Sequence, residues 1–425
     1  MNGIEISALG TLLGLGLTIF FIIKKVSPAY AMMIGALFAG IAGGITIEDT
    51  VLVMIDGAGG MTGVVLRVLA AGVLAGVLIE SGAARTIAEQ IFNRLGVSKA
   101  LLAIAGAMMV LTGVGVFIGV AVLTVAPIAL SIAHKANLSK MAVLLAITCG
   151  GKAGNIISPN PNTIAVADAF QLLLTTVMFA GIVPALGGIW ITYIIARHLQ
   201  HKGEKVDKKE TEKVNTSELP SLTASLSGPA AAIGLLLLQP LFGIAIDPLF
   251  ALPAGGAIGA FMMKKGKDLN HFAHEGLKRM SGVAILLIGT GTLAGIIAHS
   301  ELIEIIITGI DQLGMPAYML APVAGMSMSV ATGSTSAAAA VAGNVFAPSI
   351  LELGVHPLAG AAMLHAGAGM FDNMPQGTLF HISRAAVDMS LKERFQLLPY
   401  EFLVGGVITL ISTLLFGVMG HVFLT

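Results

Sequence analysis

Two polar stretches interrupt a strongly apolar sequence, and each carries residues that could bind a small anion or a proton. The first is CGGKAGNIISPNPN, residues 149–162, and the second is HAGAGMFDNMPQGT, residues 365–378. Each combines Gly, Asn and Pro with one fully charged residue, Lys152 in the first stretch and Asp372 in the second. Ionisable residues inside a membrane are costly and mark functional sites by default, so these two are the strongest candidates.

Several roles are open for these side chains. Lys152 could bind a substrate carboxylate or act as a fixed cation, and Asp372 could carry a coupling proton. The two could also simply pair with each other. Histidine titrates near neutral pH, so His365 and His381, which flank the second predicted break, are further candidates, although a single buried histidine is more often structural. Asp168 is a weaker candidate, because it falls near the predicted outer interface.

The Pro and Gly residues of both stretches predict helices that break inside the membrane, since Pro cannot continue a helix and Gly loosens one. A break leaves free N–H groups at the start of the next half-helix, whose partial positive charge suits a carboxylate. In SPNPNT, residues 158–163, Asn162 or Thr163 can cap the new helix. An external loop is the alternative, but apolar segments flank the first stretch and the second occupies the matching place in the other half.

A further polar feature is ATGSTSAAAA, residues 331–340, where four hydroxyl side chains fall in an alanine-rich segment. Small residues also favour close helix packing, which is the alternative role for each hydroxyl. The predicted substrate-binding residues are Gly151, Lys152, Asn155, Ser158, Asn160, Asn162, Thr163, Thr332, Ser334, Thr335, Ser336 and Asn373, and the predicted proton-coupling residues are Asp372, His365 and Asp168.

The composition indicates that membrane helices position these residues. The chain has 425 residues, 56% hydrophobic and 11% charged, against about a quarter charged in soluble domains. Its formal net charge is zero, which gives no reason to expect a nucleic-acid partner. The single cysteine, Cys149, excludes an internal disulfide and a cysteine-based metal site, and no cofactor or metal is predicted. Residues 4–23 lack a preceding basic segment, so we interpret them as a first span and not as a signal peptide.

The apolar runs predict an all-α polytopic membrane protein with about fourteen hydrophobic spans, including one interrupted helix in each half. The predicted division is a first membrane repeat at 1–198, a cytoplasmic polar linker at 199–227 and a second repeat at 228–425. The predicted spans lie near 5–23, 28–46, 61–80, 99–117, 118–134, 140–168, 172–197, 228–246, 248–263, 281–298, 316–330, 331–351, 358–390 and 399–424.

Internal similarity and loop charges relate the two halves. Five pairs of similar segments occur in the same order at an offset of roughly 215 to 221 residues, such as AGVLAGVLIES at 71–81 and GTLAGIIAHS at 291–300. The loop after the third span is basic in the first half and acidic in the second, so equivalent loops lie on opposite sides and the repeats are inverted, as in many secondary transporters. The basic loops predicted to be cytoplasmic contain Lys24, Lys25, Arg85, Arg94, Lys99, Lys264, Lys265, Lys267, Lys392 and Arg394.

Other function classes lack their motifs. The GGK segment is not a phosphate-binding P-loop, because Ala146 and Ala153 occupy the positions that need Gly and Ser or Thr. The sequence has no His-Glu-x-x-His and no Gly-x-Ser-x-Gly motif, so we do not expect an enzyme. It shows no nucleotide-binding domain that would power a pump. A channel is an alternative function class that the sequence does not exclude.

The segment FDNMPQGTLFHISRAAVDMSLKERF, residues 371–395, is similar to the C-terminal signature of the gluconate permease (GntP) family, and residues 331–343 and 150–167 resemble two further motifs of that family. The resemblance covers most of the chain. It implies the inverted repeats, scaffold and transport domains and elevator-type movement of the broader ion-transporter superfamily. It also implies proton-coupled uptake of gluconate, another sugar acid or a hydroxy acid, with D-serine-type substrates among relatives, and by analogy a homodimer.

Proton symport of a small organic anion into the cell, by a multi-pass protein of the cell membrane, is therefore the leading prediction. A sodium-coupled carboxylate symporter is one alternative, in which Asn155, Asn160, Asn373 and backbone carbonyls would hold the ion. A cation/proton antiporter is another, although it would need more buried carboxylates than Asp372 and Asp168.

Overall fold

The computed structural model describes residues 5–207, 219–312, 314–375 and 377–420, which fold almost entirely into α-helices. Within these ranges the β-pairing is limited to two isolated bridges. The all-α class predicted from the apolar runs is confirmed. Most of the charged part of the predicted linker, residues 208–218, lies outside the described residues.

The helices are numbered α1 to α20 in chain order. In the first predicted repeat they are α1 Ala8–Ile23, α2 Pro28–Ala42, α3 Ile47–Gly60, α4 Thr62–Glu80, α5 Ala83–Leu95, α6 Ala100–Gly113, α7 Ile118–Lys135, α8 Lys140–Asn155, α9 Pro161–Ala169, α10 Leu174–Ala180 and α11 Ile182–Leu199. In the second they are α12 Leu222–Phe242, α13 Pro248–Met262, α14 Leu269–Ala298, α15 Leu302–Gln312, α16 Leu320–Thr332, α17 Thr335–Glu352, α18 Pro357–Ala368, α19 Thr378–Ala386 and α20 Leu391–Ser412.

Six helical segments of the described chain are long and apolar enough to cross a membrane by themselves. They are Thr62–Glu80, Ile118–Lys135, Leu174–Leu199, Leu222–Phe242, Gly266–Ala298 and Leu391–Val418. Other apolar helices are shorter. For example, α6 has 14 residues and is about 21 Å long, less than the hydrocarbon core of about 30 Å. The multi-pass architecture is therefore clear, and the count of fourteen spans stays a prediction.

The helices pack into two groups, each of which takes helices from both predicted repeats. In the first group α4 packs along α14, with α2, α3 and α13 against this pair and α12 against α13. In the second group α8 contacts α6, α7, α11 and α20, while α18 packs against α16, α17 and α20. The amphipathic helices α5 and α15 lead from the first group to the second in each repeat.

Small residues allow α4 and α14 to lie close together at the centre of the first group. Gly72 and Gly76 of α4 face Gly276 of α14, and a Cβ added at Gly276 would overlap the carbonyl oxygen of Gly72. Close approach through small residues is a usual way for helices to associate in lipid, where the hydrophobic effect between them is absent.

The first predicted break lies between α8 and α9 at residues 156–160. Pro161 opens α9, and Asn160 caps it, because the Oδ1 atom of Asn160 accepts hydrogen bonds from the N–H groups of Asn162 at 2.9 Å and Thr163 at 3.1 Å. The prediction that Asn162 or Thr163 would be the cap was therefore wrong by two or three positions. With Pro161 at the first helical position, its missing N–H leaves no donor unsatisfied.

The second break separates α18 from α19, and two helical hairpins bring their tips to the breaks. The α6–α7 hairpin turns at residues 114–117, and the α16–α17 hairpin turns at Gly333 and Ser334. Gly333 has a φ of +61°, in the left-handed region that glycine favours, and it packs against Gly377 at the start of α19. Breaks and hairpin tips therefore converge in one buried region.

Candidate functional site

A buried ion pair joins the two breaks. The Nζ atom of Lys152, in the last turn of α8, lies 2.7 Å from the Oδ1 atom of Asp372, and both side chains are 2% exposed. Nζ also donates to the carbonyl oxygens of Gly369 (3.0 Å) and Met370 (3.2 Å), just beyond the end of α18. The other carboxylate oxygen of Asp372 accepts a hydrogen bond from Oγ1 of Thr335 at 2.7 Å. In this structure Lys152 and Asp372 are paired, one of the roles that the sequence leaves open.

A second network ties the first break to the tip of the α16–α17 hairpin. The Nδ2 atom of Asn160 donates to the backbone oxygen of Asn155 at 2.8 Å and to its Oδ1 atom at 2.5 Å. Ser336, in the first turn of α17, donates to Oδ1 of Asn162 at 2.6 Å. Residues from both predicted repeats therefore hold the first break in place.

The N-termini of four helices surround a cavity of about 200 Å³. Its lining includes residues 117–119 at the start of α7, Asn162 in α9, residues 334–336 at the start of α17, and Thr378 and Leu379 in α19, together with Asn155 and Asp372. Neither α7 nor α19 has a side-chain cap in the described chain, so their first N–H groups are not used by a cap. Because helix N-termini carry partial positive charge, this arrangement favours an anion.

A smaller cavity of about 20 Å³ adjoins the ion pair and has room for about one water molecule. Lys152 and His365 line it, and Asn155, Thr335 and Asp372 line both this cavity and the larger one. Asp372 therefore lies between Lys152 and the larger cavity. The Nε2 atom of His365 is buried and has no hydrogen-bond partner among the described residues.

Six predicted binding residues line neither cavity: Gly151, Ser158, Asn160, Thr163, Thr332 and Asn373. Gly151 packs against α7, where a Cβ would crowd Ile118, and Thr332 donates at 2.8 Å to a carbonyl of its own helix. Ser158 and Asn373 are fully buried, and in the described part of the chain their side chains have no hydrogen-bond partner. These positions lie in the buried region where the breaks and the hairpin tips converge, but they do not face the open space of either cavity.

Asp168 lies at a different cavity, of about 420 Å³, which Arg67 and Asp247 also line. The guanidinium of Arg67 lies 2.8 Å from Oδ1 of Asp168 and 2.9 Å from Oδ2 of Asp247. Burial raises the pKa of Asp247, but hydrogen bonds from Arg67 and from the N–H of Leu249 outweigh it and leave the pKa below its usual value. The structure thus places Asp168 with Arg67, and not with Asp372.

Sequence reasoning missed a second buried ion pair. Nη1 of Arg394 lies 2.7 Å from Oε2 of Glu401, and both side chains are 0% exposed. Oε1 of Glu401 accepts a hydrogen bond from Thr148 at 2.6 Å, one turn before Lys152 on α8. The placement of Arg394 in a loop was wrong, because Arg394 lies in the first turn of α20, where its carboxylate partner allows the guanidinium to be buried. The available signal was Glu401, an ionisable residue inside the last apolar run.

The broken helices and the buried polar region together are those of a membrane transporter, and comparison with known proteins agrees. Residues 6–248, more than half of the chain, match the family described as GntP family permease, and residues 224–313 match the Na⁺-H⁺ antiporter family. An uncharacterized transporter of Haemophilus influenzae is 57% identical over 97% of this chain and 99% of its own length. The chain therefore belongs to the GntP permease family, so it is a multi-pass transporter of the cell membrane and not an enzyme.

More distant relatives extend the comparison. The high-affinity gluconate transporter of Escherichia coli is 22% identical over 96% of this chain and 98% of its own. The D-serine transporter DsdX of the same species is 23% identical over 95% of this chain and 96% of its own. The crystal structure of the Alcanivorax borkumensis YdaH transporter is similar in fold, with a TM-score of 0.64, 17% identity and 89% of each chain covered.

Proposed function

We propose that this protein is a secondary active transporter that imports a small organic anion, gluconate or a related sugar acid or hydroxycarboxylate, by proton symport. The observation that carries the proposal is the position of Asp372, between Lys152 and a cavity surrounded by helix N-termini. Relatives named for gluconate and for D-serine support a small substrate with a carboxylate.

The cavity supports a substrate that is small, polar and anionic. Its volume of about 200 Å³ lies below the range of about 300–1,000 Å³ that is typical of pockets for drug-sized ligands. The helix N-termini would hold the carboxylate. Ser334, Thr378 and Asn155 line the cavity and would hydrogen-bond the hydroxyl groups of the substrate.

Proton coupling follows from competition for Lys152. While Asp372 is charged it neutralises Lys152, and it repels an anion in the adjoining cavity. Protonation of Asp372 removes the repulsion and makes the charge of Lys152 available to the substrate carboxylate. Proton and anion therefore strengthen each other's binding, and the coupling is reciprocal. His365 lies beside this pair and is proposed to relay the proton. Asp168 is proposed to receive it at the separate cavity of about 420 Å³ that Arg67 also lines.

The charge that moves sets the driving force. One proton carried with one monoanion is electroneutral, so the pH gradient and the substrate gradient alone would drive import. A second proton would add a dependence on the membrane potential of about 2.3 kcal/mol per charge per 100 mV.

The two alternatives find less support. Sodium coupling would use the amide oxygens of the breaks, but Oδ1 of Asn160 already accepts two backbone N–H groups and Oδ1 of Asn155 accepts from Asn160. Of these three amides, Asn373 alone has no hydrogen-bond partner among the described residues. The segment that matches the Na⁺-H⁺ antiporter family, residues 224–313, contains no residue of the two site cavities. It therefore gives no specific support for antiport at this site.

We also propose the inverted repeat and an elevator-type movement of the second helix group against the first. Support comes from helix order, because each half has an amphipathic helix, then a hairpin, then a broken helix: α5 to α9 and α15 to α19. A homodimer is proposed by analogy with transporters of this architecture.

Uptake of radiolabelled gluconate into proteoliposomes tests the proposal. An inward proton gradient without sodium should drive uptake, and a sodium gradient at equal pH should not. Asp372→Asn should abolish proton-driven uptake, whereas Asp268→Asn, an identical change at an exposed position, should leave it intact. Uptake that requires sodium, or that Asp372→Asn does not affect, would overturn the coupling mechanism. Failure to transport gluconate, other hydroxy acids or D-serine would overturn the substrate class.

A further inference from the structure

A separate polar cavity of about 410 Å³ lies where α6 begins and α7 and α11 end. Lys99 and Arg197 line it together with Ser98, Tyr193 and Gln200, and none of its lining residues is acidic. In the described part of the chain neither Lys99 nor Arg197 forms an ion pair. The cavity therefore holds two positive charges that no carboxylate of the described residues neutralises.

This cavity belongs to the basic end of the molecule. Lys99 follows Arg94 in a predicted cytoplasmic loop, and Arg197 lies shortly before the polar linker. Short loops rich in Lys and Arg face the cytoplasm, where the lipid surface is negatively charged. The two charges are therefore expected at the depth of the lipid headgroups.

An apolar stripe leads along α11 toward the cavity. Leu186, Trp190 and Ile194 are 55%, 66% and 42% exposed, and their spacing of four residues places them on one face of the helix. Arg197 follows Ile194 by three residues on nearly the same face. From Leu186 to Arg197 the helix rises about 16 Å, a length that a lipid acyl chain can follow.

We propose that this cavity binds the headgroup phosphate of an anionic phospholipid, whose acyl chain lies on the stripe of Leu186, Trp190 and Ile194. Arg197 can donate two parallel hydrogen bonds to the phosphate, and Lys99 supplies a second charge. Tyr193 and Gln200 can hydrogen-bond the glycerol part. A zwitterionic lipid binds less well, because its own ammonium group is repelled by the two cations.

Native mass spectrometry of the purified protein, titrated with phosphatidylglycerol or with phosphatidylethanolamine, tests this site. Wild type should retain phosphatidylglycerol preferentially. The double variant Lys99→Gln/Arg197→Gln should bind it at least about tenfold more weakly, because the charge-assisted hydrogen bonds to the phosphate are lost. The control Lys264→Gln/Lys267→Gln removes two exposed charges of another basic loop and should bind as wild type does.

Trp190→Ala provides a second test that leaves both charges in place, and it should also weaken phosphatidylglycerol binding. Equal retention of the two lipids by wild type, or unchanged affinity in the double variant, would overturn the proposal. Displacement of phosphatidylglycerol by an equal concentration of free glycerol phosphate would assign the cavity to a soluble phosphate compound instead, and would equally overturn it.

Discussion

Removal of both partners of the Lys152–Asp372 pair should destabilise the protein by much less than the sum of the two single removals. The two groups lie 2.7 Å apart with side chains 2% exposed, so either one alone becomes an uncompensated buried charge. Such changes typically cost about 3–5 kcal/mol, whereas a buried pair replaced as a unit is often close to neutral. Lys152 keeps two carbonyl acceptors after Asp372→Asn, which should place that variant near about 3 kcal/mol.

The reverse change leaves Asp372 with one hydroxyl donor, Thr335, so Lys152→Met should cost about 4 kcal/mol. Independent sites would then give about 7 kcal/mol for the double variant. We expect about 4 kcal/mol or less, which is a coupling of about 3 kcal/mol. Equilibrium unfolding in mixed micelles measures the free energy of unfolding of wild type, the two single variants and the double variant, which together form a double-mutant cycle.

A matched control is the partly exposed pair of Arg85 and Glu89, 3.0 Å apart and one turn apart on α5. The same cycle there should give a coupling of only about 0.3–0.5 kcal/mol. Additive effects at Lys152 and Asp372 would refute the argument, because they would mean that the two charges do not depend on each other for burial.

Three further changes test other parts of the structure. Glu401→Gln leaves the buried Arg394 without its carboxylate and should cost about 3–5 kcal/mol in unfolding experiments; a change below about 1 kcal/mol would contradict the pairing. Asn160→Ala removes the cap of α9 together with two hydrogen bonds to Asn155 and should cost about 2–4 kcal/mol in unfolding experiments; a loss below about 1 kcal/mol would contradict this role of Asn160. Arg67→Gln should change stability by less than about 1 kcal/mol, because this pair is partly exposed, and added salt should reduce the difference; a large effect insensitive to salt would contradict this.

The breaks could be predicted from the sequence because their causes are local. Pro161 has no N–H to donate, and the Asn and Gly residues nearby suit helix ends, so a short window contains the whole signal. The cap residue was misplaced by two or three positions, since several neighbouring side chains can each accept the same N–H groups. Choosing Asn160 requires the three-dimensional path of residues 156–160.

The ion pairs could not be assigned in the same way, because they depend on contacts between distant segments. Lys152 and Asp372 were each identified as costly intramembrane residues, yet whether they meet depends on how the two halves pack. Arg394 was assigned to a loop because the positive-inside rule counts charges near apolar runs and takes no account of a buried partner such as Glu401.

Helices that are not uniformly apolar were also missed. Residues 83–95 and 302–312 form the amphipathic α5 and α15, and α14 begins at Leu269, well before the predicted span at 281. A search for apolar runs overlooks such segments, because one of their faces is polar.

The most direct test of the mechanism measures protons taken up when the purified protein binds gluconate, in weakly buffered solution with a pH indicator. If protonation of Asp372 frees Lys152 for the substrate, wild type should take up about one proton per gluconate bound at a pH where Asp372 is ionised. Asp372→Asn should take up none, and Asp268→Asn should behave as wild type does. Gluconate binding without proton uptake by wild type, or equal uptake by Asp372→Asn, would contradict the account.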